Sequence, residues 1–131
     1  MQQNLENLYN ECFGYVKDFS IFKDMITIKD NDIIIGAVGI EKDYDEITLL
    51  TGLCVSAKYR NRGVATQILE ICANMYKNKP LVLYINKNED KLEAFYNKRG
   101  FISYYSNDTL PIDIKFNPET EILLYKENNL L

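Results

Sequence analysis

The amino-acid sequence predicts one mixed α/β (α+β) domain, residues 1–131, in which helices cover both faces of a mostly antiparallel central sheet. Two patterns support this prediction. Apolar residues recur at helical spacing near the start of the chain, and short apolar runs rich in β-branched residues follow. Of the 131 residues, 47% are hydrophobic and 26% are charged, which suits a single packed core rather than a disordered chain.

The first half of the chain is predicted to form a helix and then three antiparallel strands. The helix spans residues 2–19, and its apolar positions recur every three or four residues: Leu5, Leu8, Tyr9, Cys12, Phe13, Val16 and Phe19. The three strands are predicted over residues 21–28, 33–40 and 46–56. Polar turns separate them at residues 29–32 and near residues 42–45.

The second half is predicted to alternate helices with strands. A helix begins at Gly63 and ends before residues 78–80, where Asn and Pro interrupt the pattern. The nearly all-apolar run 81–85 is typical of a strand that is buried on both faces. A short helix then ends at Gly100, a residue type that is common just past a helix end.

Two final strands are predicted over residues 101–105 and 121–126. Between them, the segment 106–120 contains Pro111 and Pro118, which argue against a central strand there. Helices that alternate with strands in this order indicate an α/β or α+β sandwich with helices on the sheet faces.

Charge and composition exclude several classes of protein. The net charge of -4 and the pI near 4.9 make nonspecific nucleic-acid binding a poor expectation. Without histidine, neither the usual His-containing triads nor a His-based metal site can form, and Cys12, Cys54 and Cys72 are too far apart in sequence for a CxxC site. We expect no metal, and three buried thiols in a reducing cytosol. No secretion signal and no run of roughly 18 apolar residues is present, so we expect a cytoplasmic protein that is not in the membrane.

One predicted strand-to-helix junction contains basic residues but no acidic ones. No acidic residue lies between Glu46 and Glu70, whereas the same window contains three cations: Lys58, Arg60 and Arg62. Gly63 stands where the next helix begins, and a helix N-terminus has unpaired N–H groups and partial positive charge. The segment therefore indicates a site for an anion such as a pyrophosphate. The alternative is an ordinary turn with solvated arginines.

Two motifs in register resemble the GNAT N-acetyltransferase family. Arg60-x-x-Gly63-x-Ala65 is similar to the family pattern Q/R-x-x-G-x-G/A, and the residues from Ala94 to Phe101 are similar to its A-x-Y-x-x-x-G-F helix end. Together with the helix and the strand between them, the motifs cover roughly residues 46–105. The resemblance implies a GNAT-like sheet and the cosubstrate acetyl-coenzyme A (acetyl-CoA).

The resemblance also implies which residues contact the coenzyme. The backbone of Leu53 and Val55 is expected to pair with the pantetheine arm, and the amides of residues 62–66 to bind the pyrophosphate. The side chain of Cys54, between these two positions, is expected in the core. The cofactor-binding residues predicted in this way are Leu53, Cys54, Val55, Arg60, Asn61, Arg62, Gly63, Val64, Ala65, Thr66 and Asn88. Asn88 is included because many members have an asparagine at the neighbouring position, which is Glu89 here.

The resemblance implies that Tyr96 is the catalytic acid. A tyrosine with a pKa near 10 can protonate a departing thiolate whose thiol has a pKa near 8.5. The alternative is a helix tyrosine that packs on Leu92. For the base we consider Glu46 at the start of one predicted strand and Glu41 at the end of another, with proton transfer through water as the alternative.

We therefore expect an N-acetyltransferase that transfers an acetyl group from acetyl-CoA to a primary amine by direct attack in a ternary complex. Two alternatives stay open: a non-catalytic CoA-binding regulatory module, and a small interaction domain without coenzyme. The amine is a small molecule or a peptide. The N-terminal helix, the loop after Phe19 and residues 105–120 are expected to form the walls of the acceptor side, which is either open or completed by a second copy in a homodimer.

Overall fold

The computed structural model describes residues 2–15, 18–42 and 44–128. In chain order the elements are α1 (Gln2–Phe13), β1 (Phe22–Asp30), β2 (Ile33–Glu41), β3 (Thr48–Val55), α2 (Val64–Met75), β4 (Leu81–Asn86), α3 (Asp90–Lys98), β5 (Ile102–Tyr104) and β6 (Glu121–Lys126). Short 3-10 turns precede β1 and follow β3. This order confirms the predicted fold class.

The strands form one six-stranded sheet in the order β1-β2-β3-β4-β6-β5. The pairs β1–β2, β2–β3, β4–β6 and β5–β6 are antiparallel, and only β3 and β4 run parallel. Helix α2 connects these two parallel strands, as parallel neighbours require. The sheet is therefore mixed but mostly antiparallel, as predicted.

Helices cover both faces of the sheet. Helix α1 packs on one face through Leu5, Leu8 and Tyr9. Helices α2 and α3 pack on the other face through buried side chains that include Ile68 and Tyr96. Both helix layers bury apolar surface against the same strands, which is the packing that the alternating sequence pattern predicts.

The parallel strands β3 and β4 pair over a short stretch and then separate. Their register contains only the pairs Thr48↔Leu81 and Leu49↔Val82. Farther along β3, Gly52 has a φ of 69°, and the register with β2 shifts by one residue between its two flanking pairs. A left-handed glycine and an extra residue are the features of a β-bulge, which bends a strand away from its neighbour. The C-terminal half of β3 thus has a free edge facing β4.

The predicted helix over residues 2–19 is too long. Helix α1 ends at Phe13, because Gly14 adopts a φ of 77° and donates its N–H to the carbonyl of Asn10 over 2.9 Å. This is a left-handed helix cap, which glycine adopts at little cost. Phe19 instead begins a 3-10 turn. Val16, which the periodic pattern included, lies outside the described residues, as does Asp43 in the second predicted turn.

The segment 106–120 contains no helix or strand and packs against one face of the sheet. Asn107 fixes it by accepting from the N–H of Phe116 over 3.1 Å and donating to the carbonyl of the same residue over 2.9 Å. Phe116 is buried with Leu123 and Tyr125, on the face of the sheet away from α2. The prediction that Pro111 and Pro118 exclude a central strand is confirmed.

Candidate functional site

A cleft of about 820 Å³ opens where β3 separates from β4. Its walls come from the end of β3, the loop before α2, the first turn of α2, and α3. Ten of the residues predicted from the sequence line it: Leu53, Cys54, Val55, Arg60, Asn61, Gly63, Val64, Ala65, Thr66 and Tyr96. Residues that are far apart in the chain, on the strand, on the loop and on α3, therefore share one surface.

The first turn of α2 presents unpaired backbone donors to this cleft. Gly63 precedes the helix with a φ of 81° and offers no side-chain cap. The first helical hydrogen bond runs from the N–H of Gln67 to the carbonyl of Gly63 over 3.0 Å. The amides of Val64, Ala65 and Thr66 consequently have no partner within the helix. A cluster of free N–H groups at a helix N-terminus suits an anion.

The loop that leads into α2 is held by its own side chains and by α1. Arg60 donates from Nε to the carbonyl of Val55 over 3.0 Å, which folds its side chain back onto the end of β3. The Glu11 carboxylate accepts from the N–H of Ala57 over 2.7 Å and from the hydroxyl of Ser56. These contacts fix the start of the loop while its later amides stay free.

Arg99 is a cleft residue that the sequence reasoning missed. Its guanidinium lies 3.6 Å from the centre of the Phe95 ring, and its Nε donates to the hydroxyl of Thr66 over 2.9 Å. The side chain thereby joins α3 to the first turn of α2. Together with Lys91 it adds positive charge to the lining. Its place directly before the Gly100-Phe101 motif was the available signal.

Tyr96 lies almost fully inside the wall of the cleft, with 4% of its surface exposed. Edge-on contacts hold its ring between Phe95, with the ring centres 5.2 Å apart, and Phe101, with the centres 5.4 Å apart. Burial raises the pKa of Tyr96, and Cys72 raises it further. The hydroxyl is therefore protonated at neutral pH, and Tyr96 is one of the residues that line the cleft.

Three residues predicted from the sequence do not line the cleft. Glu46 is exposed and borders a separate hollow of about 160 Å³, beside Asp113. The Arg62 guanidinium lies 5.6 Å from the centre of the ring of Tyr59, which lines the cleft, but Arg62 itself is not among the lining residues. Asn88 is exposed just before α3, with a φ of 75°. No ligand contact of these three residues has been tested, and their assignments stay predictions.

A polar pair, Thr51 and Glu41, lies at the point where β3 separates from β4 (the split), on the face of the sheet away from α2. Thr51 comes two residues after the last β3 residue that pairs with β4, and its hydroxyl donates to Glu41 Oε2 over 2.5 Å. Tyr84 occupies the equivalent place on β4 and packs on the face away from α2. Burial raises the pKa of Tyr84 to about 12, together with nearby Tyr44 and the carboxylates of Glu121 and Glu41.

Comparison with known proteins identifies the fold and the family. Residues 22–103 match the acetyltransferase (GNAT) domain family. This chain belongs to the GNAT acetyltransferase family. The match includes the whole cleft from β3 to α3, so the two motifs noted in the sequence lie inside the matching region. The predicted resemblance is confirmed.

A curated relative, N-alpha-acetyltransferase 30 of Schizosaccharomyces pombe, is 32% identical over an alignment of 82 residues, and the match covers 57% of this chain. The match spans 55% of that relative, about half its length. Among solved structures, the ribosomal-protein-S18-alanine N-acetyltransferase of Escherichia coli superposes with a TM-score of 0.75 at 12% identity, over 99% of this chain and 89% of that one.

Another similar structure is Arabidopsis thaliana Naa50 in complex with the bisubstrate analogue CoA-Ac-MVNAL. It has a TM-score of 0.66 and 20% identity, over 95% of this chain and 91% of that chain. At these identities the structural likeness concerns the fold alone. Among the described residues, no helix is both long and apolar enough to cross a membrane, and no group of three or more acidic or cysteine side chains could hold a metal.

Proposed function

We propose that this chain transfers the acetyl group of acetyl-CoA to the α-amine of a peptide or protein N-terminus. The observation that carries the proposal is the cleft itself. Its lining combines the first turn of α2, the end of β3 and Tyr96, the residues that the proposal needs. The substrate class is proposed from the name of N-alpha-acetyltransferase 30 and from the bisubstrate analogue CoA-Ac-MVNAL that is bound to Naa50.

The residues of the cleft fit acetyl-CoA. A Cβ built on Gly63 would meet no atom within 4 Å, so the space beside the α2 amides is open for a pyrophosphate. The β3 edge from Leu53 to Val55 is not paired with β4 and, apart from the Val55 carbonyl, which accepts from Arg60 and Cys12, can pair with the amide-containing pantetheine arm as an added strand would. Arg99 and Lys91 supply positive charge for the phosphates.

Tyr96 supports the departure of the coenzyme thiol. As the amine nitrogen bonds to the carbonyl carbon and the carbon–sulfur bond breaks, negative charge develops on sulfur. The protonated Tyr96 hydroxyl then donates a hydrogen bond or its proton to that atom. No nucleophilic side chain is required for this reaction, and the Cys54 side chain packs in the core beneath α1. We therefore propose direct transfer in a ternary complex.

Glu41 is a better-supported base than Glu46. Glu41 is half-buried and hydrogen-bonded to Thr51 at the start of the split, on the face opposite the coenzyme cleft. An amine that approaches through the split from that face would meet this carboxylate, either directly or through a water molecule. Glu46 borders a different hollow and is exposed to solvent. We therefore assign the proton acceptor to Glu41.

The proposal is tested by an acceptor panel. The chain is incubated with acetyl-CoA and short peptides that have a free N-terminus, each paired with a copy that is blocked at the N-terminus and carries an internal lysine. Free thiol is measured by its reaction with a chromogenic disulfide, and the acetylated position is identified by fragmentation mass spectrometry.

We expect thiol release with free N-termini and none above background with the blocked copies. Acetylation of lysine alone would refute the assigned acceptor. Binding of acetyl-CoA without transfer to any peptide or small amine would instead support the alternative, a non-catalytic CoA-binding module.

A further inference from the structure

Arg99 is a half-buried cation in the wall of the cleft, and its partners among the described residues are all neutral. Its Nε donates to the Thr66 hydroxyl over 2.9 Å, and its Nη1 donates to the carbonyl of Phe95 over 2.8 Å. Its guanidinium also lies 3.6 Å from the centre of the Phe95 ring. A partly buried charge that is not neutralised costs free energy, which a bound anion offsets. Arg99 is therefore placed to bind an anion as well as to join two helices.

The contacts of Arg99 fix its guanidinium while leaving donors free. Two hydrogen bonds and the Phe95 ring hold the guanidinium plane, whereas no acceptor in the described part of the chain contacts Nη2. A guanidinium presents its N–H groups in a rigid planar fork that matches the oxygens of a phosphate group. Charge-assisted hydrogen bonds of this kind are stronger than neutral ones. The free side of Arg99 is therefore suited to one phosphate group of the coenzyme.

The position of Arg99 relative to α2 indicates which phosphate group it meets. Thr66 has the last of the three free amides at the start of α2, and Arg99 is held by the side chain of that residue. The guanidinium thus lies one side chain beyond the amides to which we assign the pyrophosphate. In acetyl-CoA the ribose ring places the 3′-phosphate a similar step beyond the pyrophosphate. A phosphomonoester has a charge of about −1.5 to −2 at pH 7, the largest on any single phosphate of the coenzyme.

We propose that Arg99 binds the 3′-phosphate of the coenzyme, so that this chain selects acetyl-CoA over its 3′-dephospho form. The assignment rests on the proposed function, because it names a further part of the same coenzyme site. Lys91 also lines the cleft, but it lies near the opposite end of α3 and is exposed. The eight residues between the two positions correspond to about 12 Å along a helix axis. We therefore assign the 3′-phosphate to Arg99 and not to Lys91.

The assignment is tested by calorimetric titration of the full chain with two ligands, acetyl-CoA and 3′-dephospho-acetyl-CoA, without an amine acceptor. The proteins are the wild type, Arg99→Met, Lys91→Met and the matched control Lys98→Met. Each substitution removes one positive charge and keeps an unbranched side chain. Lys98 directly precedes Arg99, is exposed and is not among the residues that line the cleft. Circular dichroism verifies that each variant is folded, and Arg99→Gln replaces Arg99→Met if the latter is not.

The quantity compared is the Kd of the dephospho ligand divided by the Kd of acetyl-CoA. A helix that is merely displaced weakens both ligands alike and leaves this ratio unchanged, so the ratio reports the contact with the 3′-phosphate. We expect a ratio of at least about ten for the wild type, because the dephospho ligand lacks the charge-assisted hydrogen bonds. Arg99→Met should lower the ratio below about two, whereas Lys91→Met and Lys98→Met should keep it above about five.

Three results would overturn the assignment. The first is a wild type that binds the two ligands equally well. The second is an Arg99→Met protein that keeps the wild-type ratio, even if it binds both ligands more weakly, because Arg99 then acts on the pyrophosphate or on helix packing alone. The third is loss of the ratio in Lys91→Met or Lys98→Met, which would make the preference an effect of another residue or of net charge.

Failure of the proposed function gives a different pattern. A wild type that binds neither ligand overturns both the proposed function and the role of Arg99. A wild type that shows the expected ratio but transfers no acetyl group to any amine overturns the proposed function alone, since binding is measured without an acceptor.

Discussion

Replacing Gly63 with alanine separates the cost of backbone strain from the loss of an anion site. Gly63 has a φ of 81°, where an L-residue costs about 1–2 kcal/mol. Alanine also restricts the unfolded chain, which returns about 0.4–1 kcal/mol. A new Cβ would meet no protein atom within 4 Å, so no clash adds to these two effects. We expect the free energy of unfolding to fall by about 1 kcal/mol.

We expect Gly63→Ala to weaken the free energy of acetyl-CoA binding by more than it lowers the free energy of unfolding. The methyl group would project from the residue directly before the free α2 amides, where we propose that the pyrophosphate binds. Losing one hydrogen bond to a charged group costs about 1.5–3 kcal/mol, which corresponds to roughly a 10- to 150-fold weaker Kd. Acetyl-CoA calorimetry measures the affinity, and urea denaturation measures the stability.

Gly14→Ala is the matched control for this substitution. Gly14 has a φ of 77°, also with no atom within 4 Å of a built Cβ, but it follows α1 and does not line the cleft. Both variants should lose similar stability, while only Gly63→Ala loses affinity. If the two variants bind acetyl-CoA equally well, the assignment of the pyrophosphate to the start of α2 is refuted.

Further predictions concern the chemistry and the core. Tyr96→Phe should lower kcat about a hundredfold and change the acetyl-CoA Kd by less than about twofold, since only proton donation is lost; an unchanged kcat would exclude Tyr96 as the acid. Glu41→Gln should slow acetyl transfer at saturating substrates, whereas Glu46→Gln should not, and the reverse result would restore Glu46 as the base. Leu123→Ala should lower the free energy of unfolding by about 2–5 kcal/mol in urea denaturation, because Leu123 is fully buried; a loss below 1 kcal/mol would contradict its place in the core.

The order of the helices and strands could be predicted from the sequence, and so could most of the residues that line the cleft. The alternation of apolar runs with polar turns located each strand within about two residues, because burial on a sheet face imposes that pattern. The segment from Leu53 to Thr66 could be assigned because it resembles a family motif that is local in sequence. The residues alone indicated only an anion site at a helix start, from Gly63 and the absence of acidic residues around it.

Features that depend on contacts between distant residues could not be predicted. The contact of Arg99 with Thr66 joins two helices, and no local pattern reports it. The hydrogen bond between Thr51 and Glu41 depends on the register of β2 with β3. Glu46 was considered as a base from its position in sequence alone, and only the packing of segment 106–120 shows that it borders a different hollow.

The end of α1 is determined by Gly14, which the spacing of the apolar residues does not take into account. The apolar spacing continues through Phe19, which favours a longer helix. Gly14 ends the helix instead, because its left-handed conformation satisfies the carbonyl of Asn10 and turns the chain. The shorter helix brings Cys12 to its last turn, beside Val55 and Arg60.

Whether the N-terminus of α2 binds the coenzyme pyrophosphate is decided by calorimetric titration of the wild-type chain with two ligands. One is acetyl-CoA, and the other is S-acetylpantetheine, which has the same thioester arm but lacks the pyrophosphate together with the nucleoside part that the pyrophosphate joins to it. We predict that one acetyl-CoA binds per chain and that acetylpantetheine binds at least about tenfold more weakly, since it leaves the α2 amides unpaired. Equal affinity for the two ligands, or no binding of acetyl-CoA at all, would contradict the assignment of this cleft.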